Sequence, residues 1–296
     1  MSTFDKVGVV GLGLMGHGIC QVAAASGAHS EVIAFEEKQE FLDSGRSRIE
    51  NSVNKLLSRG KIGQEDADKT LGSIHYTTNP SDLSDTDFII EAVIENMDLK
   101  QNLYRSLNNV CKPETIFASN TSSLSITDMA EISGRADKFV GVHFFNPVQL
   151  MKLVEVIKTD HTATDVFDKA YDWVGDIGKI AVTCRDTPGF IVNRLLVPSL
   201  MQAILMMERG DASIKDIDVS MQLGAGHPMG PLTLADYVGL DTCLYIMQGW
   251  VEKFPNEPAF SLPKILEEKV AAGYLGRKSG KGFFHWENDK RGDPVE

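Results

Sequence analysis

The sequence has few cysteines, and their placement argues against two kinds of site. The four cysteines among 296 residues are Cys20, Cys111, Cys184 and Cys243, which lie far apart with no CxxC pair and no histidine at metal-ligand spacing. A disulfide framework and a zinc site both need closely patterned cysteines. We therefore expect reduced, mostly buried thiols of an intracellular protein, and no metal.

Long apolar runs and targeting signals are missing as well. No stretch of apolar residues is long enough to cross a bilayer, so we expect no membrane-spanning segment. The first strand pattern begins at Lys6, so we expect no signal or transit peptide, and the C-terminal residues DPVE are not a peroxisomal address. The sequence itself thus gives no address for a compartment.

Positive charge is in short supply. Lys plus Arg number 29 and Asp plus Glu number 41, which gives a net charge of −12. Binding of nucleic acid needs a basic surface, so we expect no nucleic-acid partner. Binding of a small polyanionic ligand is not excluded, because it depends on the local charge and not on the net charge. The length of 296 residues is enough for two modest domains.

The first 185 residues alternate short β-branched runs with helical patterns. Such alternation predicts βαβ units and a mostly parallel sheet. The predicted strands are 6–10, 31–35, 87–92, 115–119, 138–145, 151–157 and 179–183, and the predicted helices are 14–26, 38–60, 97–111 and 164–177.

Strand signals almost vanish from Asp186 onward. Apolar patterns at helical spacing follow, separated by glycine and proline, and the long segment 190–208 is apolar almost all round. We therefore predict a Rossmann-like, doubly wound α/β domain at 1–185 and an all-helical domain at 186–296.

A glycine-rich motif, GLGLMG, follows the first predicted strand and opens a helix. Gly11, Gly13 and Gly16 fit the pattern GxGxxG. The glycines permit a tight turn and a close approach of the backbone to a pyrophosphate, whose charge lies at the helix N-terminus. The motif predicts a dinucleotide site, and a glycine-rich turn without a ligand is the alternative.

An acidic residue is expected to follow, because the ribose hydroxyls of the adenosine need an acceptor. Glu36 ends the second predicted strand, 20 residues after Gly16, which favours NAD over NADP. The alternative is that Glu36 is only the first solvated residue after a strand.

Glu155 lies among apolar residues in the predicted strand 151–157. A carboxylate on an apolar face is unfavourable unless it is paired. His143 lies 12 residues earlier, and a hairpin-like return at Asn146 could bring the two side chains together. A histidine held by a carboxylate is a base suited to neutral pH. A purely structural buried pair is the alternative.

Three further polar features need an explanation. The segment 120–123, Asn-Thr-Ser-Ser, follows a predicted strand at the edge where doubly wound sheets bind ligands, although it could also cap a helix starting near Leu124. Asn193 lies early in an apolar helix, where it makes a cap-like bond or contacts a ligand. The helix 38–60 carries several bases, which form a solvated face or attract phosphates.

The chain as a whole resembles the short-chain L-3-hydroxyacyl-CoA dehydrogenase family. The resemblance covers nearly the whole chain. It depends on GLGLMG (11–16), IIEAVIEN (89–96), ASNTSSLSIT (118–127), GVHFFNPVQLMKLVEVI (141–157), DTPGFIVNRLL (186–196), RGDAS (209–213), LGAGHPMGP (223–231) and GRKSGKGFF (276–284).

The resemblance implies roles for individual residues. It makes His143 and Glu155 the catalytic dyad, with Glu155 stabilising the imidazolium. The other implied roles are binding of the reacting oxygen for Ser122 and Asn193, lining of the substrate site for Asn146, an approach to NAD for Glu95 and Lys100, and contact with the coenzyme A chain for Ser52 and Arg59. The stretch 27–37 departs from the family pattern, because it is longer and has Glu36 where an Asp is usual.

The function so implied is oxidation of an L-3-hydroxyacyl-CoA to a 3-ketoacyl-CoA with NAD+, a step of fatty-acid β-oxidation. Two alternatives stay open. One is a β-hydroxyacid dehydrogenase acting on a free acid, for which we find no matching glycine-rich helix with a lysine at 160–180. The other is a non-catalytic, crystallin-like protein that binds a dinucleotide.

The resemblance also implies a homodimer and a location in the mitochondrial matrix. The apolar segment 190–208 supports the dimer, because a helical domain this small buries a limited share of its surface. The alternative is that the α/β domain alone covers this helix. The cytoplasm is the alternative compartment.

Overall fold

The computed structural model describes residues 3–295. Contacts between Cα atoms divide the chain into two compact units, Met1–Phe190 and Ile191–Glu296. The first unit has two hydrophobic cores, one on each side of its sheet, and the second unit has a core of its own.

One eight-stranded sheet organises the first unit, in the order β3-β2-β1-β4-β5-β6-β7-β8. Its strands are β1 (Lys6–Val10), β2 (Glu31–Phe35), β3 (Ile74–Thr77), β4 (Phe88–Glu91), β5 (Ile116–Ser119), β6 (Phe139–Phe144), β7 (Leu153–Lys158) and β8 (Ile180–Arg185). Neighbouring strands are parallel except β6 and β7, which are antiparallel. The predicted Rossmann-like fold is thereby confirmed.

Six helices cover the two faces of this sheet. They are α1 (Gly16–Ser26), α2 (Gln39–Ser58), α3 (Gln64–Gly72), α4 (Met97–Val110), α5 (Ile126–Ile132) and α6 (Thr164–Asp176). Local signals set several of their ends. Gly27 ends α1 in the left-handed region at φ 65°, and the Asn96 side chain caps α4 by accepting from the amide of Leu99.

Three elements of this unit, α3, α5 and β3, were not among the predicted helices and strands. The strand β3 has only four residues, IHYT, and it lies at the sheet edge beside β2. Only its end residues, Ile74 and Thr77, are buried, so it lacks the continuous apolar run that marks β4 and β5, which are equally short. The helix predicted at 38–60 ends at Ser58.

The second unit consists mainly of helices, as predicted. They are α7 (Val192–Glu208), α8 (Ile214–Ala225), α9 (Pro231–Val238), α10 (Leu240–Lys253) and α11 (Lys264–Ala271). Gly239, at φ 106°, separates α9 from α10. An antiparallel hairpin of β9 (Phe284–Glu287) and β10 (Lys290–Pro294) is an addition that the sequence did not predict.

Two features are absent from residues 3–295. No helix there is long and apolar enough to span a membrane. Within the same residues, no group of three or more His, Cys, Asp and Glu side chains is arranged to hold a metal ion.

Candidate active site and dinucleotide site

The glycine motif forms the turn between β1 and α1, at the point where β1 has β2 on one side and β4 on the other. Gly11 has φ 89°, which favours glycine. A Cβ on Gly16 would lie 1.6 Å from the Gly11 carbonyl oxygen, whereas one on Gly13 would meet nothing within 4 Å. The turn is therefore tightly closed at its base and open at Gly13. This geometry fits a pyrophosphate at the first turn of α1.

Glu36 lies beside this turn, directly after β2. Its Oε1 accepts a hydrogen bond from the amide of Leu12 at 2.6 Å. Burial raises the pKa of the half-buried carboxyl group, and that bond opposes the rise. Glu36 thus braces the glycine turn through a contact that sequence reasoning did not foresee.

The predicted return from His143 to Glu155 is confirmed. In the antiparallel pair of β6 and β7, these two residues lie directly opposite each other. The Nδ1 atom of His143 is 2.7 Å from Oε2 of Glu155, and both side chains are buried. Since an ionised carboxylate only accepts hydrogen bonds, Nδ1 carries the proton, and Nε2 is the acceptor of the neutral ring.

Aromatic rings pack around the His143 imidazole. The ring of Phe145 lies 4.6 Å away and that of Phe190 lies 5.5 Å away, measured between centroids. Such neighbours restrict the orientation of the imidazole.

The end of β5 is joined to β6 next to the histidine. Asn120 accepts from the amide of Phe144 at 2.9 Å through its Oδ1. The alternative role for 120–123, as a cap for a helix near Leu124, is wrong, because α5 begins at Ile126 and Ser125 is the residue that caps it.

Ser122 is tied to Glu95, which follows β4. Its amide donates to Oε1 of Glu95 at 3.0 Å. Lys100, whose side chain is 1% exposed, lies 3.2 Å from Oε2 of the same carboxylate. The structure thus brings Glu95, Lys100 and Ser122 together.

A buried carboxylate that sequence reasoning missed lies behind this group. Glu91 ends β4 with no exposed surface, and Lys100 Nζ is 2.6 Å from it. The signal was present in FIIEA, because a carboxylate in a buried apolar strand is the same pattern that singled out Glu155.

Asn146 is exposed and follows β6, where its peptide bond to Pro147 is cis. The turn after it is held by Lys179, whose Nζ donates to the carbonyl oxygens of Val148 at 2.5 Å and Met151 at 2.7 Å. Burial lowers the pKa of Lys179. The substrate-side residue predicted at Asn146 thus lies on a fixed turn.

The remaining predicted residues lie elsewhere in the fold. Asn193 is in the first turn of α7, in the second unit. Ser52 is on α2, and the exposed Arg59 directly follows that helix. The inner face of α2 carries apolar residues, so its bases point outward. Among them, Arg46 pairs with Glu50.

Comparison with known proteins matches both units of the chain. Residues 6–187 match the family described as 3-hydroxyacyl-CoA dehydrogenase, NAD binding domain, and residues 189–286 match its C-terminal domain. A mouse protein named hydroxyacyl-coenzyme A dehydrogenase, mitochondrial, is 46% identical, covering 95% of this chain and 90% of its own length. A probable 3-hydroxybutyryl-CoA dehydrogenase from Deinococcus radiodurans is 47% identical, covering 95% of this chain and 100% of its own length.

The same relationship appears among solved structures. The crystal structure of (S)-3-hydroxybutyryl-CoA dehydrogenase from Ralstonia eutropha superposes with a TM-score of 0.93 at 38% identity, covering 96% of this chain and 100% of that chain.

Proposed function

The chain belongs to the 3-hydroxyacyl-CoA dehydrogenase family, and we propose that it oxidises L-3-hydroxyacyl-CoA thioesters to 3-ketoacyl-CoA with NAD+, as a step of fatty-acid β-oxidation. The observation that carries this proposal is the buried pair of His143 and Glu155, which lie opposite each other on adjacent strands with 2.7 Å between Nδ1 and Oε2. A catalytic base needs this orientation and this counter-charge.

His143 acts as the base through Nε2, the nitrogen that Glu155 leaves free. It removes the proton of the substrate 3-hydroxyl, and the ring then carries a positive charge. Glu155 accepts from Nδ1 throughout and stabilises the imidazolium, in the way that an Asp does in hydrolase triads. In the reverse direction, the imidazolium returns the proton to the 3-keto oxygen.

Ser122 and Asn193 bind the reacting oxygen, by resemblance to the family, and Asn146 lines the substrate site. Hydrogen-bond donors aimed at an oxygen that gains charge stabilise the transition state. When bound, NAD+ would supply the hydride acceptor for C3 of the substrate.

The dinucleotide site is formed by Gly11, Gly13 and Gly16, with Glu36 facing the adenosine ribose. Support for the pyrophosphate position comes from the open backbone at Gly13 and the first turn of α1. Glu95 and Lys100 approach the cofactor from the end of β4. The contacts of Glu95 with the amide of Ser122, and of Lys100 with Glu95, support a position of both residues beside the proposed reacting oxygen.

Ser52 and Arg59 contact the coenzyme A chain in this proposal. Arg59 is exposed at the end of α2 and forms part of an outward basic row with Arg48 and Lys55. Such a row attracts phosphates even in an acidic protein.

The working form is a homodimer built through the helical domain, 186–296, which also binds substrate in this proposal. Exposed apolar side chains on that domain support it, and they include Leu223 at 84% exposure. The mitochondrial matrix stays a prediction, because the matched relatives come from mitochondria and from bacteria.

A direct spectrophotometric assay tests the function. Reduction of acetoacetyl-CoA by NADH, followed as loss of NADH absorbance, should proceed with the purified protein. Acetoacetate as the free acid should be a poor substrate in the same assay. Activity on the free acid alone would instead support the β-hydroxyacid alternative, and NADH binding without turnover would support the non-catalytic one.

A further inference from the structure

Glu91 is a buried carboxylate outside the pair of His143 and Glu155. Its Oε1 accepts from Lys100 Nζ at 2.6 Å and from the amide of Val93 at 2.7 Å. Its Oε2 accepts from Ser119 Oγ at 2.7 Å. A buried carboxylate without such donors would be strongly disfavoured. These donors stabilise its charged form.

Lys100 connects this buried carboxylate to a partly exposed one. Its ammonium group lies 2.6 Å from Glu91 and 3.2 Å from Glu95, and the three side chains are 0%, 1% and 30% exposed for Glu91, Lys100 and Glu95. One ammonium group therefore serves two carboxylates. Because Glu91 fixes it from the core side, its charge stays in place beside Glu95.

Glu95 in turn holds the loop after β5 by several hydrogen bonds. Its Oε1 accepts from the amides of Ser122 at 3.0 Å and Ser123 at 3.3 Å, and from the hydroxyl of Thr121. Burial alone would raise the pKa of Glu95, but the charge of Lys100 and the hydrogen bonds from the loop outweigh it and hold that pKa below its usual value.

We propose that Glu91 and Lys100 are positioning residues, which keep Glu95 charged so that it fixes residues 121–123 and aims Ser122 at the reacting oxygen. The inference deepens the proposed function, since it depends on Ser122 binding that oxygen. A purely structural role for the ion pair would affect stability and leave the loop and its chemistry unchanged.

The key variant is the double substitution Glu91→Gln/Lys100→Met. It removes both buried charges together, so that neither is left unpaired in the core. Within residues 3–295, Lys100 faces Glu95 directly, and Glu91 and Tyr104 lie behind it; the Tyr104 hydroxyl donates to Oε2 of Glu91 at 3.3 Å. In the variant Glu95 keeps its burial and loses its counter-charge, so it takes up a proton at higher pH.

A matched control is the ion pair at the opposite ends of β4 and α4. Asp87 precedes β4 and Lys112 follows α4, and this ion pair is 2.8 Å long. The variant Asp87→Asn/Lys112→Met neutralises an ion pair of similar length that lies away from the loop.

Two measurements on the full chain decide between the roles. The acid limb of kcat for acetoacetyl-CoA reduction should move to higher pH by about one unit or more in the double variant, with a smaller change in KM. Adding Glu95→Gln should remove this shift. Hydrogen exchange of a peptide covering 119–124 should be about tenfold faster than in the wild type at pH 6, because the amides of Ser122 and Ser123 lose a fixed acceptor. The control should match the wild type in both.

A lower Tm with an unchanged pH profile and unchanged exchange would overturn the positioning role. If the double variant does not fold, Glu95→Gln alone, at a partly exposed position, should still speed exchange at 119–124, and unchanged exchange there would overturn the inference. A wild-type protein without activity would contradict the proposed function. The exchange result would still decide whether Glu91, Lys100 and Glu95 hold the loop 121–123.

Discussion

At the scale of single residues, the central feature is a buried carboxylate paired with a histidine. Glu155 is fully buried on β7, and the register of the strand pair places His143 directly across from it. The pairing of neighbouring strands thus fixes an orientation that would otherwise need several side chains to maintain. A base built this way is held ready before substrate arrives.

The first prediction concerns this pair. His143→Gln should lower kcat by about two to four powers of ten, because the proton of the 3-hydroxyl loses its acceptor. Glu155→Gln should also be severe, because the imidazolium loses its counter-charge. Steady-state kinetics with acetoacetyl-CoA, with NADH binding measured in parallel, would check both variants.

His161→Gln is the matched control for that prediction. His161 also pairs with a glutamate, Glu131, at 3.4 Å, but both side chains are exposed. We expect its turnover to equal that of the wild type. Near-normal turnover in His143→Gln would show that the assigned mechanism is wrong.

The second prediction concerns Glu36. Its negative charge should repel the 2′-phosphate of NADPH. At neutral pH, kcat/KM with NADPH should therefore be well below kcat/KM with NADH. Burial raises the pKa of this carboxyl group, so its charge is lost on the acid side at a higher pH than for an ordinary glutamate. The preference for NADH should therefore narrow as pH falls. Glu36→Gln should flatten that dependence, and equal use of both cofactors at pH 8 would refute the role given to Glu36.

Sequence reasoning reached the residues of the site by two different routes. His143 and Glu155 follow from the residues themselves, since a carboxylate in an apolar strand demands a partner. Glu95 and Lys100 came only from the family resemblance. The Leu12 contact of Glu36 depends on the spacing of two chain segments in three dimensions, which no local pattern encodes.

At the scale of elements, the alternation of strands and helices predicted nearly all of the first unit, because each buried strand reads as a β-branched run.

The C-terminal hairpin of β9 and β10 was not predicted, for a physical reason. Its strands, FHWE and KRGDP, are largely exposed. A distant carboxylate, Asp236 on α9, accepts from the amides of Phe283 and Phe284 and from the indole of Trp286.

The third prediction follows from that anchor. Asp236 is 1% exposed, so Asp236→Ala would leave three donors without their acceptor and should destabilise the second unit by about 3 kcal/mol or more. Urea denaturation followed by tryptophan fluorescence would measure the loss. Asp289→Asn, which removes the charge of the surface pair with Arg277 and suits the φ of 63° at this position, should change stability by less than about 1 kcal/mol. Equal effects of the two variants would contradict this account of the hairpin.

The fourth prediction concerns helix α2. If Arg59 and the outward bases of this helix hold the phosphates of coenzyme A, KM for acetoacetyl-CoA should rise with salt, because such contacts are screened. Arg59→Ala should raise KM at low salt and reduce the salt dependence. A truncated thioester without the nucleotide should bind less tightly and respond little to salt.

Lys169→Ala is the control for the charge itself. Lys169 is an exposed base of the same unit, on α6, where it pairs with Asp165. Its removal should leave the salt dependence of KM unchanged. A KM indifferent to salt in the wild type, and unchanged in Arg59→Ala, would count against the coenzyme A assignment.

At the scale of the whole molecule, the helical unit exposes several large apolar side chains. Exposed apolar side chains appear on α7, α8 and α10, among them Leu195 at 70%, Leu223 at 84% and Tyr245 at 64%. Val219 and Leu223 lie four residues apart on α8, where they form one apolar stripe. A patch of this kind on a soluble domain marks a surface that another protein covers.

The last prediction is that a second copy of the chain covers this apolar patch of the helical unit. A two-fold homodimer is the commonest arrangement for such a surface, because one patch then covers the other. Sedimentation at micromolar concentration should give about twice the chain mass of 32.5 kDa. Leu223→Glu places a charge on the α8 stripe and should shift the protein towards the monomer, whereas Tyr171→Glu, at an exposed position on α6 of the first unit, should leave the mass unchanged. A wild-type monomer with full activity would refute the dimer and leave the His143–Glu155 assignment intact.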